Sequence, residues 1–381
     1  MSTSIKQLTI QEQIQEIRGK LSSYGTNINI HTYLNNSEYR KSLEDAKPLS
    51  FSISRKLQMT KSFSSQKDSK KSDQTEKFTN FHWAGEGNAF SNRIVACTNK
   101  GNAYVYNTDN GNIISTLNFE GRILNACAIE PTENQMFAVG GFDGAINIKN
   151  IYNTNDRHDN ESISKQFTGH LGCVSAIRFM NTIFMISASF DSVLLLWDIN
   201  SQGKIVNTYG EHTSEVSGLD VNEVNGNIFA TGSGDTTVKI WDIREKKACV
   251  ATFQGSDSSI NCVKFLPGRL STLAAGSEDS TISIYDLRAV KELGVFKKDN
   301  NDNNSINSVG FSKSGSILFA SSIENNVISF WNLFGKDIPF SKYEYKASGE
   351  NVQSGGITRT SINASGKKIG FIYKDEIVVI Q

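Results

Sequence analysis

The chain has 381 residues with 39 Lys+Arg against 39 Asp+Glu, a formal net charge of zero, so no global field draws it to nucleic acid. Its five cysteines, Cys97, Cys127, Cys173, Cys249 and Cys262, contain no CxxC pair. With no recognisable signal peptide they are expected as buried, reduced thiols of a cytosolic protein, and no run approaches the roughly 18 apolar residues of a membrane span.

In chain order, Thr9-Ile10-Gln11-Glu12 has the form of a capping box, which starts or reinforces a helix. Ile10, Ile14, Ile17 and Leu21 follow at 4-3-4 spacing, and Gly25 is placed to end the helix. Residues 1–25 are therefore expected to form an α-helix. An apolar seam this narrow suits a partner helix in a coiled coil, or packing on the chain's own domain, since so short a coil is marginal alone. Residues 26–77 read as a connector. Within it, Leu49-Ser50-Phe51-Ser52-Ile53 alternates as a strand does, and residues 55–77 carry seven Lys/Arg against three Asp/Glu. That stretch is a solvated link, with a weak attraction to an anionic membrane surface as the sharper alternative.

From Phe78-Thr79-Asn80-Phe81-His82-Trp83 onward the chain repeats itself. Ser189-Phe190-Asp191-Ser192-Val193-Leu194-Leu195-Leu196-Trp197-Asp198 recurs 44 residues later as Ser233-Gly234-Asp235-Thr236-Thr237-Val238-Lys239-Ile240-Trp241-Asp242, and His170 and His212 precede the two aspartates by 21 and 23 residues. Each copy reads as a strand, a turn at Asp and a second, buried strand rich in β-branched and large apolar residues. The same six-residue offset from a turn residue to a closing residue recurs from Lys100, Asp143, Asp279, Asn325 and Lys374. The closing positions are 106, 149, 197, 241, 285, 331 and 380. Asn/Asp tracts at 153–161 and 299–304 are expected on exposed turns.

This period and the His…Asp…Trp-Asp order are those of a WD repeat, whose unit is a four-stranded propeller blade. Seven units of about 43 residues need roughly 300, and residues 78–381 supply 304. The expected fold is all-β, a seven-bladed WD-repeat β-propeller preceded by an N-terminal α-helix. Gln381 falls at the end of the seventh unit's third strand, so residues around Ser50 to Phe63 are expected to supply the fourth and close the ring.

Ser189, His170 and Asp191 contain the residue types of a nucleophilic triad, and Ser233, His212 and Asp235 repeat them. One active site is not built twice in adjacent blades. The expectation is a structural chain of hydrogen bonds from Trp197 or Trp241 through Ser and His to Asp, with Asp279 and Tyr285 as a partial copy, and no enzyme. Gly366-Lys367-Lys368 lacks the glycine and hydroxyl of a phosphate loop. His31, His82 and His158 have no ligand partners at metal spacing, so neither metal nor cofactor is expected.

Further wording narrows the resemblance: Thr168-Gly169-His170, Trp241-Asp242-Ile243-Arg244-Glu245, Tyr285-Asp286-Leu287-Arg288, Ser308-Val309-Gly310-Phe311-Ser312-Lys313-Ser314-Gly315, and His82-Trp83 in the first blade. With the helix, basic connector and seven blades, this order resembles a divergent β subunit of heterotrimeric G proteins over nearly the whole chain. The resemblance implies a constitutive dimer with Gγ through Ile10, Ile14, Ile17 and Leu21. It also implies binding of GDP-bound Gα, and of effectors after release, on a face formed by Lys77, Ile123, Phe142, Cys173, Glu215, Ser259, Asn261, Glu278 and Tyr373.

On that face Glu215 and Glu278 stand where the family usually has Asp, Phe142 replaces Leu, and Lys77 and Asn261 match. Ile123 occupies the family's Trp position, Asn125 and Ser217 its Met positions, and Cys173 and Thr79 its Tyr positions. Met1-Ser2 lacks the glycine of a myristoylation signal, and Val379-Ile380-Gln381 has no prenylated cysteine. Membrane contact is therefore expected to be indirect, through lipidated Gγ, at the inner face of the plasma membrane. The alternative is a WD-repeat scaffold of another complex, in ubiquitin ligation, trafficking or chromatin assembly.

Overall fold

The computed structural model describes residues 53–58, 76–85, 91–119, 121–151, 165–201, 203–297, 304–322, 324, 326–333, 341–345 and 356–381. They form seven four-stranded antiparallel sheets, the blades of a propeller. From the innermost strand outward, blade 1 is Phe78–Trp83, Arg93–Thr98, Asn102–Asn107 and Ile113–Asn118, and blade 2 is Leu124–Ile129, Met136–Gly141, Ile146–Asn150 and Lys165–Phe167. Blade 3 takes Val174–Phe179, Phe184–Ser189, Leu194–Asp198 and Ile205–Tyr209; blade 4 takes Val216–Val221, Ile228–Ser233, Thr237–Asp242 and Cys249–Gln254. Blade 5 is Ile260–Phe265, Thr272–Ser277, Thr281–Asp286 and Lys291–Lys297, and blade 6 is Ile306–Phe311, Ile317–Ser322, Val327–Asn332 and Ser341–Glu344. Blade 7 is Ile357–Ile362, Ile369–Tyr373 and Glu376–Ile380, with Ile53–Gln58 from the N-terminal segment as its outer strand.

The core lies between blades rather than within them. Seven apolar clusters each join one blade to the next, the last joining blade 7 to blade 1. The closing aromatics Tyr106, Trp197, Trp241, Tyr285 and Trp331 are fully buried, each packed with residues of the preceding blade. Lys149, at the closing position of blade 2, cannot do this; its cross-strand partner Phe137 fills the space instead. Burying one such side chain favours the fold by about 1.5–3 kcal/mol.

The turn aspartates follow from backbone geometry. Ser192, Thr236 and Ser280 have φ of 65°, 68° and 70°, a left-handed conformation that costs a side-chain-bearing residue roughly 1–2 kcal/mol. The preceding aspartate offsets this cost by accepting the N–H of the residue after the strained one. Val193, Thr237 and Thr281 each donate to Asp191, Asp235 and Asp279 Oδ1 at 3.0 Å. Blade 7 departs from the pattern. Tyr373 pairs directly with Glu376, so the turn has only two residues and Lys374 itself takes the positive φ of 55°.

Ring closure is a sheet contact. Ile53–Gln58 runs antiparallel to Glu376–Ile380 with Leu57 opposite Ile377, and Leu57 is buried among residues of blades 1 and 7. Lys56 Nζ lies 3.4 Å from Glu376 and 5.5 Å from the centre of the Tyr345 ring. The expected helix with its seam of Ile10, Ile14, Ile17 and Leu21 lies outside the described residues, as do the tracts 153–161 and 299–303.

Candidate interaction face

Blades 3 and 4 each contain a buried relay. In blade 3, Trp197 Nε1 donates to Ser187 Oγ (2.8 Å), that hydroxyl donates to His170 Nε2 (2.7 Å), and His170 Nδ1 donates to Asp191 Oδ2 (3.0 Å). In blade 4 the links are Trp241 to Thr231 (2.9 Å), Thr231 to His212 (2.7 Å) and His212 to Asp235 (2.7 Å). A carboxylate only accepts, so each imidazole carries a proton on Nδ1, and with burial disfavouring the imidazolium its Nε2 accepts the hydroxyl proton. Burial lowers both imidazoles, outweighing the neighbouring carboxylate. For Asp235 burial alone would raise the carboxyl, but hydrogen bonds from Thr237 and His212 bring it down to about 2.

Ser189 and Ser233, expected in the relay, are not links of it. Trp197 pairs with Met185 and Trp241 with Phe229, so each indole reaches the diagonal residue two along the same face, Ser187 or Thr231. Ser189 and Ser233 stand two residues further and accept the N–H of Asp191 and Asp235, both at 3.1 Å. Both relay hydroxyls are fully buried, where no substrate meets them. In blade 5, Asp279 takes the hydroxyls of Ser256, Ser277 and Thr281, and Tyr285 Oη donates to Gly255 O at 3.2 Å. Blade 2 substitutes Arg122, whose Nε lies 3.3 Å from Asp143.

The relays anchor the connectors and turns at one end of the ring, where the expected Gα/effector residues gather. One backbone hydrogen bond recurs there in five successive blades: Asn99 N to Lys77 O (3.0 Å), Phe142 N to Ile123 O (3.0 Å), Phe190 N to Cys173 O (2.9 Å), Gly234 N to Glu215 O (2.9 Å) and Glu278 N to Ser259 O (3.0 Å). Lys77, Ile123, Cys173, Glu215 and Ser259 thus hold one and the same position, just before the innermost strand. Lys77, Ile123, Phe142, Glu215 and Glu278 are exposed and Ser259 half-buried. Asn261 lies one step inward and bonds Ser305 Oγ and Ile306 O of blade 6 at 2.8 and 3.2 Å. Cys173 and Tyr373 are both 6% exposed; the thiol turns to Val174 O and the phenol packs edge-on to Tyr345. They contribute little surface.

Two residues not expected on this face complete it. Leu171 is 96% exposed and Phe190 47%, beside Phe142 at 56% and Ile123 at 44%. The four belong to blades 2 and 3, and those blades touch here: Gly144, φ 73°, sits so close to His170 O that a Cβ would lie 2.5 Å from it. Apolar side chains this exposed, grouped at one end of a ring, mark a protein-docking surface. For Phe190 a signal exists in the sequence, since like Phe142 it immediately precedes a turn aspartate, outside the alternation that buries strand residues; Leu171 has no such mark.

Against this geometry, residues 161–198 match the WD domain, G-beta repeat family, and residues 196–348 match the nucleolar protein 10-like N-terminal domain family. The guanine nucleotide-binding protein subunit beta of Zea mays is 33% identical over 148 residues, which cover 37% of this chain and 39% of that protein. That of Oryza sativa subsp. japonica is 34% identical over 148 residues with the same coverage. The match thus spans well under two thirds of either relative. Fold and repeats together make the chain a WD-repeat β-propeller, an architecture of protein-protein interaction.

Proposed function

We propose that this chain is a non-enzymatic docking subunit, the β subunit of a heterotrimeric guanine nucleotide-binding protein. The observation that carries it is the apolar group Ile123, Phe142, Leu171 and Phe190, exposed on adjacent blades among the rim residues Lys77, Glu215, Ser259 and Glu278. Similarity to the two plant subunits supports the same reading. Here GDP-bound Gα covers the rim, and effectors use it once Gα leaves. Gγ pairs with Ile10, Ile14, Ile17 and Leu21, and its lipid holds the dimer at the cytoplasmic face of the plasma membrane. Ile123 and Phe142 supply the hydrophobic anchors, whereas Cys173 and Tyr373 lie too deep to take part.

The test is co-expression of the full chain with Gγ and Gα of the same organism, with and without Phe142→Asp. The wild-type chain co-purifies with Gγ and retains GDP-loaded Gα. The variant keeps Gγ and its melting temperature but weakens Gα binding by about 2 kcal/mol or more, the size of an interface hot spot. Absence of Gγ and Gα from the wild-type complex, or equal Gα binding by the variant, sinks the proposal. The match to a nucleolar protein 10-like propeller over residues 196–348 favours a second reading, a scaffold of a complex without G proteins. Under it Gγ is not retained.

A further inference from the structure

The innermost strands enclose an axial cavity of about 590 Å³, and its charge is unbalanced. Arg178 on blade 3 and Lys264 on blade 5 converge on Asp220 of blade 4, with Nε at 3.6 Å and Nζ at 2.8 Å from the same Oδ1. Asp220 also accepts the N–H of Phe265 at 3.0 Å, so its side chain is committed. Arg359 enters from blade 7. Its hydrogen bond is a long one, to Asn307 O at 3.5 Å, and among the described residues no carboxylate pairs with it. Arg178 Nη1 donates to Ile177 O at 2.8 Å, and its buried Nε has no acceptor within hydrogen-bond distance, the Asp220 carboxylate standing at 3.6 Å.

Four cations, Arg178, Lys264, Lys313 and Arg359, therefore share two carboxylates, Asp220 and Glu223, around this cavity. The excess is felt around the cavity: His82, lowered mainly by burial, is lowered further by Arg178 and Lys264, and burial with Arg178 nearby also lowers the Arg359 guanidinium. Guanidinium donors left without acceptors in a restricted space are a costly arrangement unless an anion accepts from them. The cavity falls within the usual range for small-molecule sites. Asn80, Asn261, Asn307 and Ser217, also on its wall, add neutral groups that orient oxygens without cancelling charge.

We propose that the axial cavity is a binding site for a small oxyanion, a phosphate or the phosphoryl groups of a soluble metabolite, held chiefly by Arg359 with Arg178 and Lys264. It draws on the cavity alone and stands or falls separately from the docking face. Bridging blades 3, 5 and 7, such a ligand ties together parts of the ring that otherwise meet only through their neighbours.

The experiment titrates the full chain with inorganic pyrophosphate, followed by calorimetry and by the thermal midpoint, against sodium chloride at matched ionic strength. Pyrophosphate binds saturably and raises the midpoint where chloride does not. Arg359→Gln, which removes a charge-assisted donor, weakens affinity roughly ten- to hundredfold while its ligand-free midpoint stays level or rises. Arg359→Lys keeps the charge in case the glutamine variant fails to fold, and binds with intermediate affinity because the planar fork is lost. The exposed Lys204→Gln leaves affinity unchanged. No saturable binding, wild-type affinity in both Arg359 variants, or an equal loss in Lys204→Gln overturns the proposal.

Discussion

Blades 4 and 6 close on the same residue type and differ in what holds it. Trp241 and Trp331 are both fully buried, and both pack against the preceding blade. Trp241 Nε1 begins the relay to Asp235, whereas Trp331 Nε1 has no partner. The register gives the cause: Thr231 of blade 4 corresponds to Ala320 of blade 6, each two residues beyond the partner of its tryptophan. A blade therefore tolerates loss of the relay while its closing tryptophan stays packed. The relay adds a fixed turn and connector, which is where the exposed face is built.

The largest effect expected on this contrast is common to both blades. Trp241→Ala and Trp331→Ala should each destabilise by about 3–5 kcal/mol through the cavity they leave, measured by urea unfolding; a cost at blade 6 below half that at blade 4 would show the relay, not packing, to be the main term. Next comes Thr231→Ala, which strands Trp241 Nε1 and His212 Nε2 and should cost about 1–3 kcal/mol. Amide exchange at Thr213 and Thr237, both bonded to Asp235, should rise with it and stay unchanged in blade 6. Ala320→Ser offers Trp331 an acceptor and should stabilise by about 0.5–1.5 kcal/mol, read as a higher melting temperature.

The smallest effect is a pH slope. Both relay imidazoles are lowered from 6.5 in the fold, so below pH 6.5 the unfolded chain binds more protons than the folded one. Their contribution is complete above pH 6.5 and is lost as pH falls through the folded values. Asp235 adds a further loss between 3.8 and about 2. A chain with His170 and His212 both replaced by Asn should lose part of the slope just below pH 6.5 and keep the share that the buried, likewise lowered His82 contributes; an unaltered slope would place its origin elsewhere.

The ring was legible because its determinants are local. The turn residue and the aromatic six positions later are fixed by a single hairpin, so repetition exposed the blades even where Lys149 and Ile380 stand at the closing position. The relay was half legible: His and Asp are marked by spacing, but Ser187 and Ser189 share a face, and only the diagonal reach of Trp197 separates them. Leu171 resembles any apolar residue until its exposure is seen. Arg178, Asp220 and Lys264 meet across three inner strands about 43 residues apart, a separation at which no hydrophobic period relates them. The helix and its seam lie outside the described residues.

The strand Ile53–Gln58 finds its partner 320 residues later, Leu57 lying opposite Ile377. On a ribosome adding roughly 5–20 residues per second, about 16 to 64 seconds separate the emergence of the two. Through that interval the first blade has no blade 7 against it, and Phe78, Phe81 and Tyr106, which close that junction, face water. Closing so long a loop costs only about 2 kcal/mol more than closing one the length of a single repeat, so the difficulty is one of timing. Until then each nascent chain is an open arc whose first blade presents the uncovered apolar face of Phe78, Phe81 and Tyr106, and covering that face during synthesis should raise the yield of finished rings.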